Sequence, residues 1–359
     1  MLNQILMYLM ALGALIGGID CMLGNRFGLG AKFEDGFRLL GPIALSMAGI
    51  ICITPLVAAV CEAVLTPLFL TVGIDPGICG GILPVDAGGY PLAMELAKDP
   101  RIGAYAGVVI GATFGCTVGF VIPVGMGPLD AQARQDFAAG LLIGLATLPV
   151  ALVAGGVLSG LPLLRVLHQS LPVFLLCLVL LVGLVKNSGR MIRAFTAFAG
   201  GIRILTLLGL TLGAVGHLTG LEVPYISPLK DAMETVCAIG IVLLGCLPLS
   251  ELLMRFLDRP IRWIGSKTGM NAESTAAMMI SMIVAMPALA MLKDMDRRGR
   301  IVNGAVFVCS ASAFSAHLGF TLGVAADMVM PMLAAKLIGS LVTAMAAVTI
   351  TSGKWNIKI

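Results

Sequence analysis

The sequence predicts an all-α, polytopic integral membrane protein, and three observations carry that prediction. Charged residues make up only 12% of the 359 positions and hydrophobic ones 58%, whereas soluble domains run at about 25% charged. Mean hydropathy is +1.02. The few charges are bunched between long apolar runs, so they could not cover the surface of a soluble fold.

A spanning helix needs ~20 mostly apolar residues, and the chain offers about eleven such runs, so about 10–11 transmembrane helices are expected in one domain over residues 1–359. They centre near residues 13, 49, 87, 115, 148, 178, 211, 245, 282, 312 and 341. The first, Leu2 to Ile19, has no Lys or Arg before Arg26 and is followed by equally apolar runs, so it reads as a spanning helix and not a signal peptide. Before the second lies Glu34-Asp35, suited to a helix N-terminus where acids favour the dipole. The third is interrupted by Pro84 and Pro91. The sixth and seventh are parted by the polar stretch from Lys186 to Arg203. Asn271, Glu273 and Ser274 open the ninth as a cap, with a gate as the alternative, and Lys293 to Arg300 is a charged turn before the tenth.

Lys and Arg accumulate in cytoplasmic loops. If every run spans, Arg26, Lys32, Arg38, Lys98, Arg101 and Arg165 share one side against Arg134, and that side is expected to be cytoplasmic. Arg190, Arg193, Arg255, Arg259, Arg262 and Lys267 then fall on the opposite side. Either one run does not span or the topology inverts.

Two halves of about five helices, residues 1–160 and 190–351, are expected from a weak repeat. Pro55-Leu56 and Pro248-Leu249 lie 193 positions apart (248 − 55), as do Pro67 and Pro260. Beyond a three-residue insertion the offset becomes 196, matching Gly73 with Gly269, Pro91 with Pro287 and Gly103 with Gly299. Repeats flanking a midplane site recur in transporters.

The candidate site starts from residues 80–91, where two prolines and Gly88-Gly89 should break the helix. Asp86 sits between the breakers, although a carboxylate costs roughly 2.5–3.5 kcal/mol at a helix centre. Unwound backbone at that depth is tolerated where it lines a cavity. Asp86 is therefore the leading cation ligand, with Gly88, Gly89 and Tyr90 beside it; a structural ion pair or cap is the alternative. Glu95 belongs with Lys98, Asp99 and Arg101 in what looks like an interfacial loop, and Asp20, Glu62 and Asp327 near run ends read as solvated. In the tenth run Ser312 and Ser315 share a helix face beneath His317. They suit either close packing or a polar lining in which His317 accepts a proton or binds substrate.

Other classes fit less well. A formal net charge of +4 with no basic, aromatic-laced stripe argues against nucleic acid. The nine cysteines read as buried packing residues, and three histidines without ligand spacing leave no metal or cofactor site. No nucleophile–base constellation suggests an enzyme. A small polar solute and membrane lipid are the expected partners, with a homodimer left open; a membrane sensor or assembly component is the alternative.

Phe33-Glu-Asp-Gly-Phe37, Gly41-Pro-Ile-Ala-Leu-Ser-Met47, Val85-Asp-Ala-Gly-Gly-Tyr90, Ala93-Met-Glu-Leu-Ala97, Met295-Asp-Arg-Arg-Gly-Arg300 and His317-Leu-Gly-Phe320 occur in an order and spacing that resembles the ethanolamine permease family of bacterial ethanolamine utilisation. The resemblance runs from residue 1 to about 350. It implies a multi-pass carrier of the bacterial inner membrane that imports ethanolamine or a related small amine, with Glu34, Asp86 and Glu95 at acidic positions of the family pattern. Ethanolammonium needs a carboxylate or aromatic cage plus a hydrogen-bonding group. The chain departs from the pattern at Val284-Ala285, where a pair of amides is usual, and at Ser315-Ala316, where Gly-Asp is usual.

Overall fold

The structure is a computed structural model that describes residues 2–83, 89–127 and 129–352. Among the described residues every regular element is helical. Helices α1 (Leu2–Met22), α2 (Leu29–Arg38), α3 (Leu40–Ile43) and α4 (Gly49–Thr71) are followed by the short α5 (Ile78–Ile82) and α6 (Gly89–Leu96). Next come α7 (Pro100–Ala104), a π-helical stretch from Tyr105 to Val121 broken only at Cys116, α8 (Ile122–Met126), α9 (Ala131–Leu158), α10 (Leu163–Gln169) and α11 (Leu171–Thr219). The chain ends with α12 (Leu229–Thr268), α13 (Ala272–Ile283), α14 (Ala285–Ala290), α15 (Arg297–Ser310), α16 (Ala316–Val324) and α17 (Val329–Thr351).

Among the described residues seven helical stretches are long and apolar enough to cross a bilayer, and an eighth is formed if α10 and the first part of α11, bent by 51°, count as one. This corrects the expected eleven. The runs near 87, 282 and 312 are each two short helices around a break, and those near 178 and 211 lie on the single 49-residue α11. Tyr8, Leu15, Val60, Val64, Leu68 and Leu175 point outward, as lipid-facing side chains must, while Thr113, Thr117, Ser274 and Thr343 are buried inside. Seven cysteines are buried, but Cys237 is exposed and Cys21 half-buried.

Two of the interrupted runs turn back instead of crossing. The Asp75 carboxylate accepts from the backbone N–H of Gly77 at 2.8 Å, at the start of the first hairpin, and from Lys98 at 3.1 Å and Asp99 at 2.9 Å, at its end. The α5–α6 hairpin therefore returns to the face it left. The α13–α14 hairpin does the same: Asn271 donates its N–H to the Asp296 carboxylate at 3.1 Å and its side-chain amide to the Asp294 carbonyl at 3.0 Å.

The hairpins open on opposite faces. Their mouths are tied to opposite ends of α9, whose 28 residues rise about 42 Å. Arg165, past its C-terminal end, pairs with Asp99 at 2.9 Å; Asp136, near its start, accepts from Arg300 at 2.8 Å and Arg297 at 3.3 Å. Since the first hairpin turns back, Lys98, Arg101 and Arg165 stand opposite Arg26, Lys32 and Arg38. The sequence expectation placed them together. Arg134, Lys293, Arg297, Arg298 and Arg300 now join the Arg26 face, as does Arg255, whose guanidinium bonds the Phe27 carbonyl at 2.8 Å.

Close helix crossings recur at one spacing. Gly13 of α1 meets the backbone of Gly245 on α12, and Gly209 of α11 meets that of Gly49 on α4, each too tightly for a Cβ. These pairs are 196 positions apart (209 − 13 and 245 − 49). Gly17 against Pro248 and Gly213 against Cys52 show the same spacing (213 − 17 and 248 − 52). Thr147 of α9 and Thr343 of α17, themselves 196 residues apart, share a hydrogen bond of 2.7 Å. The helices leaving the two hairpins start at Gly89 and Ala285, again 196 apart (285 − 89).

Candidate functional site

The break of the second hairpin meets the break between α15 and α16. Ala311 to Ser315 separate α15 from α16, so Ser312 and Ser315 do not share a helix face as expected; they stand in non-helical backbone. Ser312 adopts a left-handed φ of 53°, a conformation that costs a non-glycine residue free energy and persists only when surroundings impose it. The second hairpin imposes it. Ser312 N–H donates to the Ser281 carbonyl at 2.8 Å and Phe314 N–H to the Met282 carbonyl at 2.8 Å. The Ser312 hydroxyl accepts from Ala285 N–H at 3.3 Å, and the Ser315 hydroxyl donates to the Ile283 carbonyl. Ser310 and Ser281 hydroxyls meet at 2.9 Å. Backbone groups freed by both breaks thus satisfy one another, as hydrocarbon demands.

His317, 2% exposed, sits in the first turn of α16. Its Nδ1 lies 2.9 Å from the Ala311 carbonyl oxygen. A carbonyl only accepts, so Nδ1 carries a hydrogen and donates it. One turn on, Phe320 stacks edge-on against Tyr90 with centroids 6.0 Å apart and planes at 79°. Tyr90 begins the outward leg of the first hairpin, and Gly89 before it packs on the Gly80 carbonyl with no space for a side chain. The structure therefore joins three predicted residues, Ser312, Ser315 and His317, at one break, and brings Tyr90 against the same helix, while Gly89 stays within its own hairpin. Asp86 and Gly88 lie outside the described residues.

Two predicted acids stand apart. Glu34 is exposed on α2 and pairs with Arg38, and Glu95 is exposed near the end of α6. Asp20 is not solvated as expected: it is 2% exposed and accepts backbone N–H groups of Phe27, Leu29 and Gly30 at 2.8–2.9 Å, fastening the turn between α1 and α2. Asn271 does cap α13, accepting from Ser274 N–H at 3.0 Å. Among the described residues no three His, Cys, Asp or Glu side chains gather as metal ligands.

Sequence reasoning passed over several residues here. Cys246 and Ser250 of α12 both donate to the Phe314 carbonyl at 2.7 Å. Thr117, in the π-helical stretch, donates to Val308 of α15 at 3.2 Å; π-helical turns frequently mark functional regions. Lys336 is wholly buried in α17. A lysine inside the last apolar run was the legible signal, because intramembrane charges mark function by default.

The comparisons agree with this architecture in extent. Residues 2–350 match the family described as "Ethanolamine utilisation protein, EutH". A probable ethanolamine permease of Listeria monocytogenes is 37% identical over 347 residues, covering 96% of this chain and 93% of the relative. The probable ethanolamine permease of Escherichia coli is 32% identical over 378 aligned positions, 94% of this chain and 93% of the relative. An uncharacterized protein of Bacillus subtilis, YxeR, is 34% identical over 351 residues, covering 97% and 95%. No solved structure matches.

Proposed function

The chain belongs to the EutH family of ethanolamine utilisation proteins, and from that premise we propose that it is a carrier admitting ethanolamine, or a closely related small amine, across the bacterial inner membrane. The observation that carries this reading is the pair of half-membrane hairpins opening on opposite faces, the second bonded at its tip to the α15–α16 break and the first reaching α16 through Tyr90. Interrupted helices near the midplane are where transporters hold substrates.

In this reading the halves form an inverted repeat. The 196-residue spacing of the α1–α12 and α11–α4 crossings supports it, and the Thr147–Thr343 bond is what a pseudo-two-fold axis between them would produce. Rocking one half against the other would expose the same site alternately to each face. The face bearing Arg26, Arg134, Arg255, Lys293, Arg297, Arg298 and Arg300 is the cytoplasmic one, since among the described residues named here the other bears the fewer basic groups, Lys98, Arg101, Arg165 and Lys230. Asp86 is the proposed ammonium ligand, with Gly88, Gly89 and Tyr90 shaping the tip. Ser312, Ser315 and His317 supply polar groups for the substrate hydroxyl. Glu34 and Glu95, exposed at the rims, contribute at most to attraction of the cation.

Reconstitution in liposomes tests the proposal. Uptake of labelled ethanolamine below pH 8, where the free base is scarce, is expected to be saturable and well above that of empty liposomes. Uptake no faster than in empty liposomes would refute it.

A further inference from the structure

Lys336 is fully buried midway along α17, and its Nζ donates to the carbonyl oxygens of Cys309 at 3.2 Å and Ala311 at 2.9 Å. Both carbonyls belong to the end of α15, where the chain leaves the helix and the last C=O groups lose their helical partners. The negative end of the helix dipole points the same way. Carbonyls at the ends of broken membrane helices are the groups that transporters use to coordinate a coupling cation. Here a covalently attached ammonium already stands on them.

We propose that Lys336 is a tethered cation filling the ion position of the α15–α16 break, so that the transport cycle needs no free sodium ion. This rests on the carrier reading above. A buried polar stripe continues from it: Ser340 and Thr343 follow at four and seven residues, on the same face of α17, 3% and 0% exposed. Thr343 bonds Thr147, while the Ser340 hydroxyl, one turn from the ammonium, has no hydrogen-bond partner among the described residues. His317 Nδ1 lies on the same Ala311 oxygen that Lys336 reaches. Any movement of the break on substrate release must therefore move against a fixed positive charge. The cation is confined to one half, because Gly140, 196 positions before Lys336, packs directly on the Ile301 backbone with no room for a side chain.

The test is uptake by full-length protein in liposomes with either Na⁺ or K⁺ as the only alkali cation on both sides. Wild-type rates are expected to agree within about twofold in the two salts. Lys336→Ala opens the carbonyl-lined position, and its uptake should fall about tenfold or more in K⁺ and recover severalfold in Na⁺. Lys336→Met fills the volume without charge and should be slow in both. A Na⁺-specific rise in the thermal midpoint of Lys336→Ala, absent in wild type, reads the vacated position without any transport. Wild-type uptake that requires Na⁺, Lys336→Met working at the wild-type rate, or Lys336→Ala showing neither sodium response would overturn the proposal. An inactive wild type would instead refute the carrier reading itself.

Discussion

The two half-membrane hairpins are built to the same plan and held in different ways. At their mouths both rely on a carboxylate that gathers backbone N–H groups or a neighbouring cap: Asp75 for the first, Asp296 with Asn271 for the second. At their tips they diverge. The second hairpin's tip is bonded group by group to Ser312, Phe314 and Ser315. The first carries two prolines, a glycine pair and an acid in the corresponding place, and reaches α16 through the Tyr90–Phe320 contact. The lesson is a division of labour, in which one half supplies the proposed cation ligand and the other a fixed polar wall.

The comparison breaks first at Asp86. If the first tip holds the ammonium, Asp86→Asn should lower saturable uptake about 100-fold, the consequence of leaving a buried charge without its partner, with expression and thermal midpoint little changed. Unaltered kinetics would remove Asp86 from the site. Met282, 196 positions further on, should tolerate replacement by Leu with less than about a twofold change.

The mouths offer a stability test. Asp75→Ala strands three backbone N–H groups and should cost about 2–3 kcal/mol, read as a lowered unfolding midpoint in detergent. Ser315→Ala should cost less, about 1 kcal/mol, since it removes one hydroxyl bond to the Ile283 carbonyl. A larger loss from Ser315→Ala than from Asp75→Ala would reverse the ranking of mouth over tip.

How much of this was visible in the sequence follows from where the causes lie. The helices were, because lipid demands long apolar runs whatever their packing. The first break was also legible, as Pro84, Gly88, Gly89 and Pro91 are local causes. The break at 311–315 was not: Ser-Ala-Ser-Ala holds no proline or glycine, and the left-handed Ser312 is imposed by partners some 30 residues earlier in the chain. That the runs near 87 and 282 turn back was equally hidden, since a re-entrant hairpin and a crossing helix can be equally apolar. Their turning back explains why the basic residues could not be sorted to one side by counting runs.

The smallest expected effect lies at the first mouth. Hydrogen bonding from the Arg101 side chain, above all, holds the Asp99 carboxyl below its usual range. A lowered folded-state pKa stabilises above the unfolded value and is lost as pH falls through the folded one. The difference in stability between wild type and Asp99→Asn, read from their thermal midpoints, should therefore be flat from pH 8 to 5, start to fall near pH 4 and vanish only below the lowered folded-state value, amounting to no more than about 1 kcal/mol. Glu34→Gln, at a site remote from both tips, should change uptake by less than about twofold.

The opposed opening of the hairpins is the centre of the account, and impermeant-maleimide labelling tests it most directly. In a Cys237→Ser background, Lys98→Cys at the first mouth and Lys293→Cys at the second are both exposed. Lys98→Cys should label only from the outside of right-side-out vesicles and Lys293→Cys only in inside-out vesicles. Labelling of both from the same side would contradict the inverted arrangement and the carrier mechanism built on it.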